Sequence, residues 1–213
     1  MLRSFLAVAI ALLFACACSG PALPLLAGPP SAKSVAESSS DFSGVKKCPE
    51  AGSYDAYLKA EQAKSPDLYR ADSKDWSDLK SSGANDGYIA VYAADTSECG
   101  QFENGSPAGK VAYVFAIRYR DGSAAASAYK SAAGQFSLTQ SDLDNLRAAG
   151  GTVQQGSATG LSDNAMVLYI DVQDNHFYIA LWQKKDFEVA LLVYNLPLAD
   201  GSAAARKVNG RIR

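Results

Sequence analysis

The clearest alternation of apolar and polar positions lies in the C-terminal quarter of the chain. Met166–Val172, His176–Gln183 and Phe187–Asn195 are strand-like runs, separated by Gln173-Asp174-Asn175 and Lys184-Lys185-Asp186, connections of hairpin length. This spacing predicts a three-stranded antiparallel meander. Pro197 ends the pairing, and Ala199–Ile212 reads as a helix with Ala204, Val208 and Ile212 stacked at intervals of four. Upstream, Tyr88–Ala94 and Val111–Tyr119 read as an antiparallel pair, with Val111, Tyr113, Phe115, Ile117 and Tyr119 on one face and Asn104-Gly105 in the turn between them. Asp121-Gly122 leads into an alanine-rich helix over Ser123–Phe136. A second short helix is expected over Ser141–Ala149, stopped by Gly150-Gly151.

Ser53–Lys64 reads as a helix capped by Ser53, with Tyr54, Tyr57 and Leu58 on one stripe and Glu61 interrupting it. The polar stretch that follows, through Trp76 and Leu79, shows no period that assigns it. Strands followed by a helix occur twice. The fold class expected is α+β: one domain with an antiparallel sheet of about five strands, hairpin plus meander, and helices packed on one face.

One feature of the meander bears on function. Phe187, Val189, Leu191 and Val193 make one face apolar, but the other face, with Ala190, Leu192 and Tyr194 beside Glu188, is also too apolar for plain exposure to water. The neighbouring strand adds Tyr178, Ala180 and Trp182 in alternation with Phe177, Ile179 and Leu181. Either the Ser53–Lys64 helix and the Trp76 segment cover the second face, or it forms a groove for an apolar ligand or partner. Tyr178, Trp182 and Tyr194 are the candidate ligand-binding residues.

The amino end has a different character. Arg3 precedes an unbroken small and apolar run from Phe5 to Ala15, closed by Leu13-Phe14-Ala15-Cys16, which overlaps Ala15-Cys16-Ala17-Cys18. A membrane span needs about 20 apolar residues, whereas here Ser19, Gly20, Pro21 and Pro24 follow the run. The pattern is that of an export signal ending in cysteine, and it resembles the lipobox of bacterial lipoproteins. The resemblance implies a signal peptide over residues 1–18, cut before a cysteine whose thiol carries diacylglycerol. Cys16 is favoured by Leu13 at the third position before it, and Cys18 by Ser19-Gly20 after it. Cleavage by an ordinary signal peptidase near Ala17 or Ala27, and a retained membrane anchor, are the competing readings. Residues 19–44, rich in Pro, Ser, Ala and Gly, read as a flexible tether, and residues 45–213 as a single extracytoplasmic domain.

Charge and cysteine content agree with export. Loss of Arg3 with the signal takes 20 basic side chains to 19 against 22 acidic ones, so no electrostatic footprint for nucleic acid exists. The basic cluster Arg206, Lys207, Arg211 and Arg213 is expected to complement the dipole at the end of the last helix, contact with anionic lipid being the alternative. Cys48 and Cys99 remain outside the lipobox, in a compartment where disulfides persist, and are expected to pair.

The order hairpin, helix, loop, meander and C-terminal helix, with Gly160-Leu161-Ser162-Asp163-Asn164-Ala165 leading into the meander, is similar to exported bacterial lipoproteins of the PsbP-like type. Sensor-like extracellular domains of actinobacterial proteins look similar as well. The resemblance implies a binding or accessory role outside the cytoplasm and brings no catalytic residue set.

Catalytic and metal motifs are sparse. His176 is the only histidine, and a small hydrolase using it is an alternative function, although no Gly-x-Ser-x-Gly elbow accompanies it. Asp171, Asp174, Asn175 and His176, and separately Asp142, Asp144 and Asn145, lack the spacing of a calcium loop. No metal or cofactor is expected. The reading is a lipid-anchored binding or accessory domain of the cell envelope, whose partners are the membrane through its anchor and a small molecule, lipid or envelope protein. A structural or assembly factor in an envelope complex is the alternative.

Overall fold

The computed structural model describes residues 28–100, 109–135, 139–172 and 175–213. Cys16 and Cys18, the whole of the expected signal peptide, Asn104-Gly105 and Gln173-Asp174 lie outside the described residues.

Val111–Tyr119 (β4) is the hinge between the two halves legible in the sequence. Its alternating side chains are apolar in both directions, and it pairs antiparallel with Ala84–Ala93 (β3) on one side and Phe187–Tyr194 (β8) on the other. Hairpin and meander are therefore one sheet. Its remaining strands are Lys46–Lys47 (β1), Gly52–Ser53 (β2), Thr152–Gln155 (β5), Ala165–Val172 (β6) and Asn175–Lys184 (β7). The order across the sheet is β1-β3-β4-β8-β7-β6-β5, with β2 also on β3 and every pairing antiparallel. The α+β class holds, but the sheet has eight strands rather than about five. The additions, β1, β2 and β5, are two to four residues long and too short to display a period.

Helices pack on both faces of the sheet, not on one. On the first face, Ala32–Ala36 (α1) and Leu198–Arg211 (α6) cover Ala90, Tyr92, Ala112, Val114, Val189 and Leu191. On the second, Tyr54–Lys64 (α2), Pro66–Ser81 (α3) and Gly122–Gln135 (α4) contribute to clusters with Ile89, Val91, Tyr113 and Tyr119. Gln140–Ala148 (α5) lies by β5, its start closed by a reciprocal capping box between Thr139 and Asp142. A sheet apolar on both sides needs two covers.

Two segments differ from expectation. The proposed tether over 19–44 is, in its described part, built into the domain: Ala32, Val35 and Ala36 are fully buried and Phe42 packs on Tyr92 at 5.3 Å between ring centroids. Arg211 holds this segment in place. Its guanidinium donates to both carboxylate oxygens of Asp41, at 2.9 and 2.6 Å, and to the Val35 carbonyl at 2.8 Å. Such contacts span 170 positions of sequence and leave no local signal. The polar stretch after Lys64 is the sixteen-residue helix α3, started by Pro66 at its first turn. Trp76 is its one buried residue; the ring stacks on Tyr54 at 4.6 Å and its Nε1 donates to Asp55 at 2.8 Å. Gly87 makes room below, since a Cβ there would stand 2.9 Å from the indole.

Cys48 and Cys99 form the expected disulfide across a sequence separation of 51. It ties the segment before β2 to the turn after β3.

Candidate functional site

A concavity with convergent polar groups lies on the first face, where the sheet runs out toward its β5 edge. There Thr152 and Gln154 of β5, Val167 and Tyr169 of β6, and Tyr178 of β7 share one side, because the antiparallel register sets Thr152 opposite Tyr169, Gln154 opposite Val167 and Tyr169 opposite Tyr178. Helix α6 forms the roof. Leu198, Ser202 and Arg206 recur every four residues and so face the same way. The loop from Ala158 to Leu161 closes the side, leaving a cavity of about 360 Å³.

Local structure holds each wall. A short 3-10 turn over Gly156–Thr159 ends at Gly160 in the left-handed conformation, φ 71°. The Thr159 hydroxyl donates to the Gly156 carbonyl at 2.7 Å and accepts from the Leu161 amide at 3.2 Å. From α6, Asn209 donates to the Leu161 carbonyl at 2.9 Å, joining loop to roof. The Gly160-Leu161 turn noticed in the sequence is thus the rim of the cavity.

Tyr178 is 3% exposed and forms its floor. Burial raises the pKa of its hydroxyl, which is hydrogen-bonded to Ser202, while the positive charge of Arg206 works in the opposite sense. Tyr169 is half-buried beside it; its hydroxyl donates to Asp171 at 3.1 Å, and loss of hydration together with that bond raises its pKa. Among the described lining residues Arg206 is the one charged group. An aromatic floor, neutral hydrogen-bonding walls and one cation at the mouth suit a small molecule with an apolar or ring-shaped body and one anionic group.

The three predicted ligand residues do not converge. Tyr178 is in the cavity. Trp182 stands opposite Val189, is fully buried in the core, and its Nε1 has no hydrogen-bond partner among the described residues. Tyr194 is on the second face, where its hydroxyl donates to Asn175 at 2.7 Å and its ring meets Phe177 edge-on at 4.6 Å. The reason is register: Tyr178 pairs with Val193 and Trp182 with Val189, so both share the side of Phe187 rather than that of Tyr194. Of the second face, the parts near β3 and β4 are covered by α2, α3 and α4, while Leu168, Ile170, Phe177, Ile179 and Leu192 are half-buried.

His176 lies opposite Asp171 across β6 and β7, with Nδ1 3.0 Å from the carboxylate. Both side chains are partly exposed. Among the described residues no serine hydroxyl is hydrogen-bonded to His176. Asp142 is taken up by the capping box of α5 and Asp144 by Gln140 and Arg147. Within the described residues one group of three metal-type donors is close enough to share an ion, Cys48, Glu50 and Cys99, and its two sulfurs are joined in the disulfide.

Sequence reasoning missed Thr152, Gln154, Ser202 and Arg206 as neighbours of Tyr178. The four-residue spacing of Leu198, Ser202 and Arg206 was the available signal; β5 offered none.

No helix among the described residues is long and apolar enough to cross a membrane. No protein-family model matches this chain, and no curated protein matches it. A solved structure, the extracellular domain of PknH from Mycobacterium tuberculosis, is similar with a TM-score of 0.40 and 9% identity, over 62% of this chain and 66% of that one. The chain thus spans just under two thirds of that domain, and a likeness of this degree carries no argument about function.

Proposed function

We propose that this chain is an extracytoplasmic binding domain that takes a small anionic molecule in the cavity between β5, β6, β7 and α6. The observation that carries the reading is the placement of Arg206 over a floor of Tyr169 and Tyr178 in a cavity of about 360 Å³. Export is supported by the signal-like amino end and by the Cys48–Cys99 disulfide, a bond that persists outside the cytoplasm. Anchoring through an acylated Cys16 or Cys18 belongs to the same reading. No catalytic step is assigned to the domain.

Titration calorimetry with hexanoate and glucuronate, against hexanol and glucose, tests the ligand class. Binding of either anion, absent for its neutral counterpart and lost in Arg206→Gln, is the expected result. Equal binding by Arg206→Gln would refute the assignment. Mass spectrometry of the membrane-extracted protein tests the anchor, and an unmodified N-terminus at Ser19 or beyond is incompatible with it.

An assembly factor in an envelope complex is the second reading. It is favoured by the half-buried apolar row Leu168, Ile179 and Leu192 on the other face, and predicts co-purification with an envelope protein that is lost in Ile179→Asp.

A further inference from the structure

On the second face, helices α3 and α4 stand apart over the end of β8 and enclose a cavity of about 320 Å³, remote from the one described above. Its floor is Glu188. A glutamate at this point of a strand, between Phe187 and Val189, faces the helices that cover the sheet, and it is only 7% exposed. The Tyr119 hydroxyl donates to its Oε2 at 2.7 Å. Oε1 has no hydrogen-bond partner among the described residues, on a residue that lines the cavity. Oε1 is not among the buried atoms that lack a partner and so opens to the cavity, and no cation is among the described lining residues.

Asp75 and Asp78 of α3 stand at the same cavity, Asp78 also pairing with Lys74 at the surface, and Ser82 and Ser131 supply neutral polar atoms. Leu79, Ala128 and Ala132 make the rest of the wall apolar. A single metal ion does not suit this arrangement, because the three carboxylates are not among the described groups whose ligand atoms lie within 4.8 Å of one another. The cavity matches instead a charge on an extended apolar stem. Loss of hydration raises the pKa of Glu188, opposed by the Tyr119 hydrogen bond.

We propose that this cavity is a second binding site, for a small organic ammonium compound: the ammonium bonds to Glu188 Oε1 and its alkyl stem lies along Leu79, Ala128 and Ala132. Asp75 and Asp78 at the mouth draw the cation in. Such a site is independent of the anion cavity on the first face.

The test is titration of the purified protein with n-butylammonium, with n-butanol, butyrate and magnesium as controls. Wild type is expected to take up butylammonium at one site and neither butanol nor butyrate. Glu188→Gln, which keeps an acceptor for Tyr119, is expected to weaken uptake by about tenfold or more. Ala132→Leu, which narrows the cavity and leaves every charge in place, is expected to abolish it, with thermal melting confirming that both variants fold. Absence of uptake by wild type at millimolar butylammonium, equal affinity in Glu188→Gln, equal binding of butanol, or displacement of butylammonium by stoichiometric magnesium would each overturn the proposal.

Discussion

Gly201 of α6 lies against the ring of Tyr178 so closely that a Cβ on the glycine would meet Cγ at 2.7 Å and Cδ1 at 3.0 Å. Helix and sheet can approach here only because the side chain is missing. Alanine at an ordinary helix site gains about 1 kcal/mol over glycine, but here the overlap with a buried ring reverses the sign. Gly201→Ala is expected to destabilise the protein by about 1–2 kcal/mol and to distort the floor of the anion cavity. Urea unfolding followed by tryptophan fluorescence measures the first effect.

Gly160 gives the contrasting case. Nothing lies within 4 Å of its missing Cβ, yet φ is 71°. Gly160→Ala should therefore cost only the left-handed backbone penalty, about 1 kcal/mol, visible as a modest fall in the denaturation midpoint.

The Cys48–Cys99 bridge closes a loop of sequence separation 51. In the chain-entropy model such a closure contributes about 4 kcal/mol. Unfolding with and without reductant, or in the double variant Cys48→Ala, Cys99→Ala, should show a loss of that order.

Asp41 and Arg211 fix the amino-terminal segment to the last helix. The Asp41 side chain is 1% exposed and that of Arg211 25%. Asp41→Ala leaves a largely buried guanidinium without its partner, and the expected cost is about 3 kcal/mol. Hydrogen exchange should locate the loss in α1, whose amides would exchange faster than those of β4.

The Glu188 carboxyl also makes a pH prediction. Its pKa in the folded chain is raised above the unfolded value by burial, against the lowering effect of Tyr119; Asp75 and Asp78 line the same cavity. The folded state therefore binds more protons between the two values. Its contribution to stability falls as pH rises from the ordinary glutamate range through the raised pKa, and is constant above it. Glu188→Gln should flatten that part of the stability-versus-pH curve and be the more stable protein at neutral pH, as read from denaturation midpoints across pH 4–8.

Much of the element plan was legible because it is local. Val111–Tyr119 appears at its expected bounds, and Ser53 caps its helix by accepting the Ala56 amide at 3.3 Å. The three meander strands begin and end within a residue or so of their runs. Helix α3 was not legible, since Trp76 alone is fully buried on it and a single residue defines no stripe. Of the candidate ligand residues, Tyr178 was found as a lone aromatic; its partners Ser202, Arg206 and Gln154 come from other elements, and only packing brings them to it.

Periodicity, capping residues and chain breakers act over a few neighbouring positions, so the chain alone settled its five longer strands, most of its helices and the antiparallel pairing of the hairpin and the meander. Cross-strand register and helix docking are non-local. They alone decided that β4 and β8 fuse hairpin and meander, that Tyr194 turns away from Tyr178, that residues near Asp41 belong to the domain, and that Glu188 ends up in a cavity whose described lining holds no cation. Each of these depends on contacts between residues far apart in sequence, which no short-range pattern encodes.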